Sequence, residues 1–332
     1  MEKNDDNAQV ESADLMDQLY LGIEIGGTKL LFVVGDQSGT IRERRRLTVD
    51  PAKGGAGIRQ QIKQALPTLL RAHDIRAVGV GFGGPVDWQQ GKTCCSHQIK
   101  GWSGFGLGDW LHTLARKPVA LDNDANVASL GEAQHGAGVG FNPVFFMTLG
   151  SGVGGGLVAD GKIFHGAKPG EAEIGHVLLD RNGAILESRC SGWAVDKKIR
   201  QVKSTAPDSL LCKRAGKSVG GEAKHLGAAL AKRDPAARRI LSDTADDLAF
   251  GLSHVVNLFH PEIIILGGGL SLLGEPLRAA VEKSLRRFVM KAFLPGPRIA
   301  LPKLGENSVP IGALVLARRA CFKERETARK AG

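Results

Sequence analysis

The sequence has no paired cysteine spacing. Its five cysteines, at positions 94, 95, 190, 212 and 321, are odd in number and form no CxxC pair, which excludes a disulfide framework and a CxxC zinc site. No apolar run reaches the ~18 residues needed to cross a bilayer. No basic n-region followed by an apolar h-region opens the chain: residues 1–18 are polar and acidic and read as a flexible tail. The expected compartment is therefore the cytoplasm. The formal charge is +10, from 44 basic against 34 acidic residues. Yet the chain lacks any compact basic motif interleaved with aromatics, so neither nucleic acid nor a membrane is the expected partner. Phosphorylated small molecules give an equally good reason for the sign.

Several signatures of nucleotide and acyl chemistry are missing as well. Gly91-Lys92-Thr93 and Gly216-Lys217-Ser218 lack the leading glycine of a Walker A loop. No GxSxG nucleophile elbow is present. Two literal GxGxxG matches begin at Gly79 and Gly150, but the first runs into Pro85 and the second into an apolar strand. A dinucleotide fingerprint must open a helix, so both fail in context. P-loop, serine-hydrolase and dehydrogenase chemistry all lose ground.

Glycine, by contrast, is abundant, with 45 residues in 332, well above the usual ~7%. The glycines cluster beside apolar runs, which points to tight turns and close backbone approach to a ligand. Leu19–Ile25 reads as a strand, Gly26-Gly27-Thr28-Lys29 as a turn whose N–H groups are free for an anion, and 30–34 as a returning strand. About 125 residues later the arrangement repeats: strand 144–149, turn 150–156, strand 157–159. A domain-scale repeat implies two similar halves with a cleft between them. A third glycine turn, 267–269, follows the apolar run 263–266. Between the halves, the run 118–121 delivers Asp122-Asn123-Asp124-Ala125-Asn126 to the start of a helix. Asp and Asn are the commonest helix caps, but the surrounding turns favour a site. Two phosphate cradles and a carboxylate suffice for phosphoryl transfer, which depends on positioning, a metal and a base.

Gly22-Ile23-Glu24-Ile25-Gly26-Gly27-Thr28-Lys29, Gly84-Pro85-Val86-Asp87, the 122–126 stretch, Leu149–Gly156, Glu173-Ile174-Gly175-His176 and Asn257–Gly269 together resemble the ROK family (repressors, open reading frames, kinases), over residues 20–318. The resemblance implies an α/β protein of duplicated actin-like, ribonuclease H-like ATPase fold. Its domains are expected at 19–122 plus 309–320 and at 123–308, with a basic tail at 321–332. It also implies a hexose kinase using ATP and Mg²⁺, most simply glucose to glucose 6-phosphate, and a homodimer. Carried over by motif, Asp124 is the general base. Gly84, Gln98, Asn123, Glu173, His176 and Glu187 would face the sugar. Glu24, Gly26, Gly27, Thr28 and Lys29 would meet the phosphates from one side and Gly150, Ser151 and Gly152 from the other, with Gly267, Gly268 and Gly269 at the adenosine.

Three positions depart from the family pattern. Glu24 stands where most members carry Asp, a longer arm still able to hold metal-bound water. Gln98 stands where an Asn usually touches the sugar. The cysteine-rich zinc segment is missing, with Leu178, Asp180 and Ile185 near the expected cysteines; no structural zinc is expected, and His176 is expected to be positioned by packing and hydrogen bonds. Within the kinase class the alternative acceptor is an N-acetylhexosamine, and polyphosphate is a further donor. The family also contains sugar-responsive repressors and a kinase-fold protein could bind sugar without turnover, but only about 20 residues, acidic in balance, precede the first strand, too few for a DNA-binding domain.

Overall fold

The computed structural model describes residues 18–96, 99–170, 172–217 and 219–331, with backbone alone for 325–331. Gln98 and the 1–17 stretch read as a tail lie outside the described residues. In chain order, β1 is Leu19–Ile25, β2 Lys29–Gly35, β3 Ile41–Thr48, α1 Gly54–Ala72, β4 Ile75–Phe82, α2 Leu107–Ala115, β5 Val119–Asn123 and α3 Asp124–His135. Then follow β6 Val144–Leu149, β7 Val153–Ala159, α4 Gly192–Thr205, α5 Pro235–Phe259, β8 Ile263–Gly267, α6 Glu275–Leu285, β9 Arg298–Ala300 and α7 Ser308–Ala331. Among the described residues no helix is long and apolar enough to cross a membrane.

The chain forms two compact units. The first comprises the described residues of Met1–Val139, Gly161–Glu171 and Glu306–Gly332; the second those of Gly140–Asp160 and Ala172–Gly305. The first unit's sheet runs β3-β2-β1-β4-β5. β1 pairs antiparallel with β2 and parallel with β4, and β4 parallel with β5. Both faces are covered, so its strands are apolar almost throughout, as buried parallel ladders require. Leu21, Ile23 and Phe32 pack with Ile58 and Ile62 of α1 and Leu111 of α2. On the opposite face Tyr20, Leu31 and Val33 pack with Leu314 and Ala317 of α7. Each such buried side chain contributes about 1.5–3 kcal/mol. At the edge, β3 alternates half-buried with exposed residues, and Arg44 and Arg46 face solvent.

Several glycines let backbone meet backbone. A Cβ at Gly79 would stand 1.9 Å from Ala313 O, and one at Gly312 would stand 1.8 Å from Val127 O. Across the same contact, a Cβ at Gly131 would lie 2.3 Å from Ser308 O. α7 is therefore pressed directly onto β4 and α3. This contact holds α3 in the first unit, whereas the sequence reading started the second domain at 123. Residues 161–170 and 306–308 also join the first unit. The backbone from 321 to 331 continues α7 as helix, where a tail was expected.

The second unit repeats the plan. β6 pairs antiparallel with β7 and parallel with β8, and β8 parallel with β9. Phe145, Met147 and Ile264 pack with Val195 and Ile199 of α4, Leu248 and Leu252 of α5, and Val281 of α6. α5 opens with Pro235 at its first position and Asp234 capping Ala237 N–H at 2.8 Å. β7 begins at Val153, so Gly154, Gly155 and Gly156 lie in the strand and not in the expected seven-residue turn. A Cβ at Gly155 would lie 2.9 Å from Phe145 and from Ala172 O, a space only glycine fits.

Candidate active site

In the first unit, register brings the expected site residues together. Glu24, Gly81 and Asp122 stand in one row across β1, β4 and β5, and Ile25, Phe82 and Asn123 in the next. The loops that leave these three strands therefore emerge side by side at the carboxyl ends of parallel strands, where ligands of open α/β sheets bind. They carry Gly26–Thr28, Gly83–Pro85 and Asp124. Gly83 N–H donates to Ile25 O at 2.8 Å, and a Cβ at Gly83 would stand 3.6 Å from both Asp124 Oδ2 and Gly26 Cα.

Asn123 caps α3: its Oδ1 accepts the N–H groups of Ala125 at 2.8 Å and Asn126 at 3.4 Å. Its Nδ2 donates to Gly84 O at 3.1 Å. Two of the N–H groups at this helix start are thus taken by the cap. Asp124, the first helical residue, is half-buried. Burial first, and the neighbouring Glu24 carboxylate second, push its carboxyl up to about 7, against the opposing Ala125 N–H and Lys29. Glu24 is 8% exposed and its Oε1 lies 2.9 Å from Lys29 Nζ. Burial raises its carboxyl too, partly offset by Lys29. Its Oε2 is buried with no hydrogen-bond partner. A buried carboxylate oxygen left unpaired is costly, and it suits a cation or an ordered water.

The first glycine turn is closed more tightly than expected. Gly26 N–H donates to Lys29 O at 3.0 Å, so it is engaged within the turn. Gly27 is half-buried and Thr28 exposed.

In the second unit, Gly150 N–H donates to Gly152 O at 2.9 Å and Gly150 O accepts Gly192 N–H at 2.7 Å. Ser151 lies between them, half-buried. Glu187 Oε2 accepts Val153 N–H at 2.8 Å and would lie 2.5 Å from a Cβ at Gly152. Glu187, expected at the sugar, thus buttresses the expected phosphate turn. Parallel pairing of β6 and β8 sets Thr148 beside Gly267. Gly268, at φ +79°, packs on the end of β6: a Cβ there would stand 2.5 Å from Leu149 N. Only glycine combines that conformation with that contact. The turns at 150–152 and 267–269 are therefore neighbours, and the Cβ position of Gly269 faces open space.

Glu173 and His176 pair at 3.3 Å, with side chains 49% and 60% exposed. His176 was expected to be positioned by packing and hydrogen bonds; the contact to Glu173 is present, but Ile174 and Gly175 are the packed residues and the imidazole is exposed. The following segment is closed by backbone. Leu178 bridges Ile185, Leu179 N–H reaches Ala184 O at 2.7 Å, and Asp180 Oδ1 accepts Asn182 and Ala184 N–H groups. Among the described residues no group of three His, Cys, Asp or Glu side chains is placed to hold a metal ion.

Three residues of the first unit were not singled out from the sequence. His165 Nε2 lies 2.6 Å from Asp122 Oδ2, Trp88 stacks on the His165 ring, and Lys168 Nζ reaches Asp87. His165 and Lys168 follow β7 in the chain, and only the return of residues 161–170 to the first unit brings them here; no local pattern signals that.

Comparison with known proteins agrees with this architecture. The model of the ROK family matches residues 20–320. The glucokinase of Halalkalibacterium halodurans is 30% identical over 312 residues, covering 90% of this chain and 94% of the relative. That of Thermotoga maritima is 30% identical, covering 88% and 95%. A ROK glucokinase from Streptomyces griseus, solved in complex with glucose and AMPPNP, superposes with a TM-score of 0.80 at 32% identity, covering 91% of this chain and 99% of that one. The fold is the duplicated actin-like ATPase fold that the motif order implied.

Proposed function

The chain belongs to the ROK family, and from that premise we propose that it is an ATP-dependent hexose kinase that makes glucose 6-phosphate. The observation that carries the reading is Asp124: a carboxylate at the carboxyl ends of parallel strands, held near pKa 7 and capped in place by Asn123. A base poised near the working pH accepts a hydroxyl proton most effectively. The acceptor sugar is assigned to Asn123 and Asp124, with Gly84, Gln98, Glu173 and His176 as further contacts, and Glu187 to support of the phosphate turn. The nucleotide is assigned to Gly150–Gly152 and Gly267–Gly269, with Gly26–Lys29 on the phosphates.

The orphaned Glu24 Oε2 fits a hydrated Mg²⁺, which would neutralise charge on the transferring phosphate. Lys29, paired to the other Glu24 oxygen, supplies a second positive charge at the same place. The family resemblance adds a homodimer, and a cytoplasmic location belongs to the same reading. No zinc is required in this reading, since backbone pairing closes the 177–186 segment. The second reading is an N-acetylhexosamine as acceptor, because the sugar-facing motif is common to several specificities.

The test is ADP release over glucose, mannose, fructose, N-acetylglucosamine and N-acetylmannosamine, with Mg²⁺ added and zinc chelated. Glucose turnover is expected, with Asp124→Asn slower by about 10²–10⁴-fold. Turnover confined to the acetylated sugars would replace glucose with the second reading. An Asp124→Asn enzyme as fast as the wild type would sink the base assignment.

A further inference from the structure

The proposed reaction leaves one buried pair unused. Asp122 and His165 meet at 2.6 Å, with side chains only 3% and 14% exposed. The imidazole lies flat on Trp88, ring centroids 4.1 Å apart and planes 14° from parallel, so its orientation is fixed on one face by aromatic packing. Asp122 Oδ2 is the oxygen it meets. The other oxygen, Oδ1, accepts Asn123 N–H at 2.8 Å and Asn126 Nδ2 at 2.9 Å. Asn126 also donates to Gly170 O at 2.9 Å, and Lys168 Nζ reaches Asp87 at 3.2 Å. Residues 165 and 170 thus fasten a returning segment onto the strand end and helix start that carry Asn123 and Asp124, and Lys168 ties the same segment to Asp87.

We propose that His165 is a positioning residue of the acceptor site. By donating to Asp122 it locks the carboxylate that holds Asn123 and Asn126, and so fixes the first turn of α3 and the aim of Asp124. The inference rests on the reading of Asp124 as base. Without a partner, Asp122 Oδ2 would be a buried, unpaired carboxylate oxygen, which side-chain rotation would relieve. That rotation would release both groups that Oδ1 holds. Misplacing a reacting group by about 1 Å can cost on the order of 10²-fold in rate.

The pair of substitutions His165→Gln and His165→Asn tests this, because both keep a polar side chain and differ in reach. A glutamine amide can place its N–H where Nε2 stood; an asparagine amide falls one bond short. His165→Asn is expected to lower kcat for the hexose about 10–100-fold with KM for ATP within about 2-fold, and His165→Gln to recover most of the loss. Hydrogen exchange of the peptide covering 119–130, measured without ligand, should be faster in His165→Asn, restored in His165→Gln, and unchanged in α1 in both. Equal behaviour of the two variants in exchange, whether both like wild type or both altered, overturns the inference. So does a loss confined to KM for ATP. A wild-type protein that turns over no hexose refutes the proposed function instead, and the exchange comparison still decides the role of His165.

Discussion

Asp124 shows how a single side chain couples chemistry to stability. Its carboxyl sits near 7 in the folded protein against 3.8 ordinarily. The folded state therefore binds more protons than the unfolded chain between these values, and stability from this group falls as pH rises through that window. Activity runs the other way, because only the ionised form accepts a proton. We expect kcat/KM to fall as pH drops below about 7, read from an initial-rate profile over pH 5–9. Asp124→Asn removes the buried charge and should be slower by about 10²–10⁴-fold yet more stable than wild type at pH 8, by on the order of 1 kcal/mol in urea melts. A variant less stable at pH 8 would show that the carboxylate is not strained there. Asp124 and its cap were legible in the sequence because the 122–126 motif follows a strand and opens a helix. His165 was not, because its partner is 43 residues away and no periodicity links them. The engagement of Gly26 within its own turn was also hidden, since a glycine pair fits a closed turn and an anion cradle equally well.

At the scale of elements, the repeated strand–turn–strand units were readable from apolar runs broken by glycine, and both were found close to where the pattern put them. The roles of individual glycines were not readable, because a residue without a side chain carries no mark of what it faces. Gly79, Gly131 and Gly312 form a backbone seam that fits α7 to β4 and α3. At Gly312→Ala the new methyl would collide with a carbonyl that cannot move without its helix. The expected cost is about 2–4 kcal/mol, toward the upper range for overpacking, measured by denaturant titration. In the second unit, Glu187 fixes the turn before β7. Glu187→Ala frees Val153 N–H and opens space beside Gly152. KM for ATP should rise about 5–10-fold in steady-state kinetics while the fold is kept. A change in the sugar KM alone would return Glu187 to the sugar-contact role.

At the scale of the whole molecule, each unit owns a core, and the chain crosses between them more often than the expected division at 122 and 309 would allow. The boundary was misplaced because sequence marks where elements start and stop, whereas membership depends on what they touch. Binding linkage should be visible over the intact protein: glucose at about 100 times its Kd would stabilise it by about 2.7 kcal/mol, a shift of several degrees in a thermal melt, and a non-binding hexose none. The placement of α7 has a consequence for how the protein is made. The helix that covers β1 and β4 is the last element in the chain, so the first unit leaves the ribosome with its sheet uncovered on one face. The second unit is synthesised whole while the first still waits for Ser308–Ala331. The usual order, in which the amino-terminal part of a protein matures first, is reversed here. A premature stop ahead of Ser308 would therefore unmake the portion translated first.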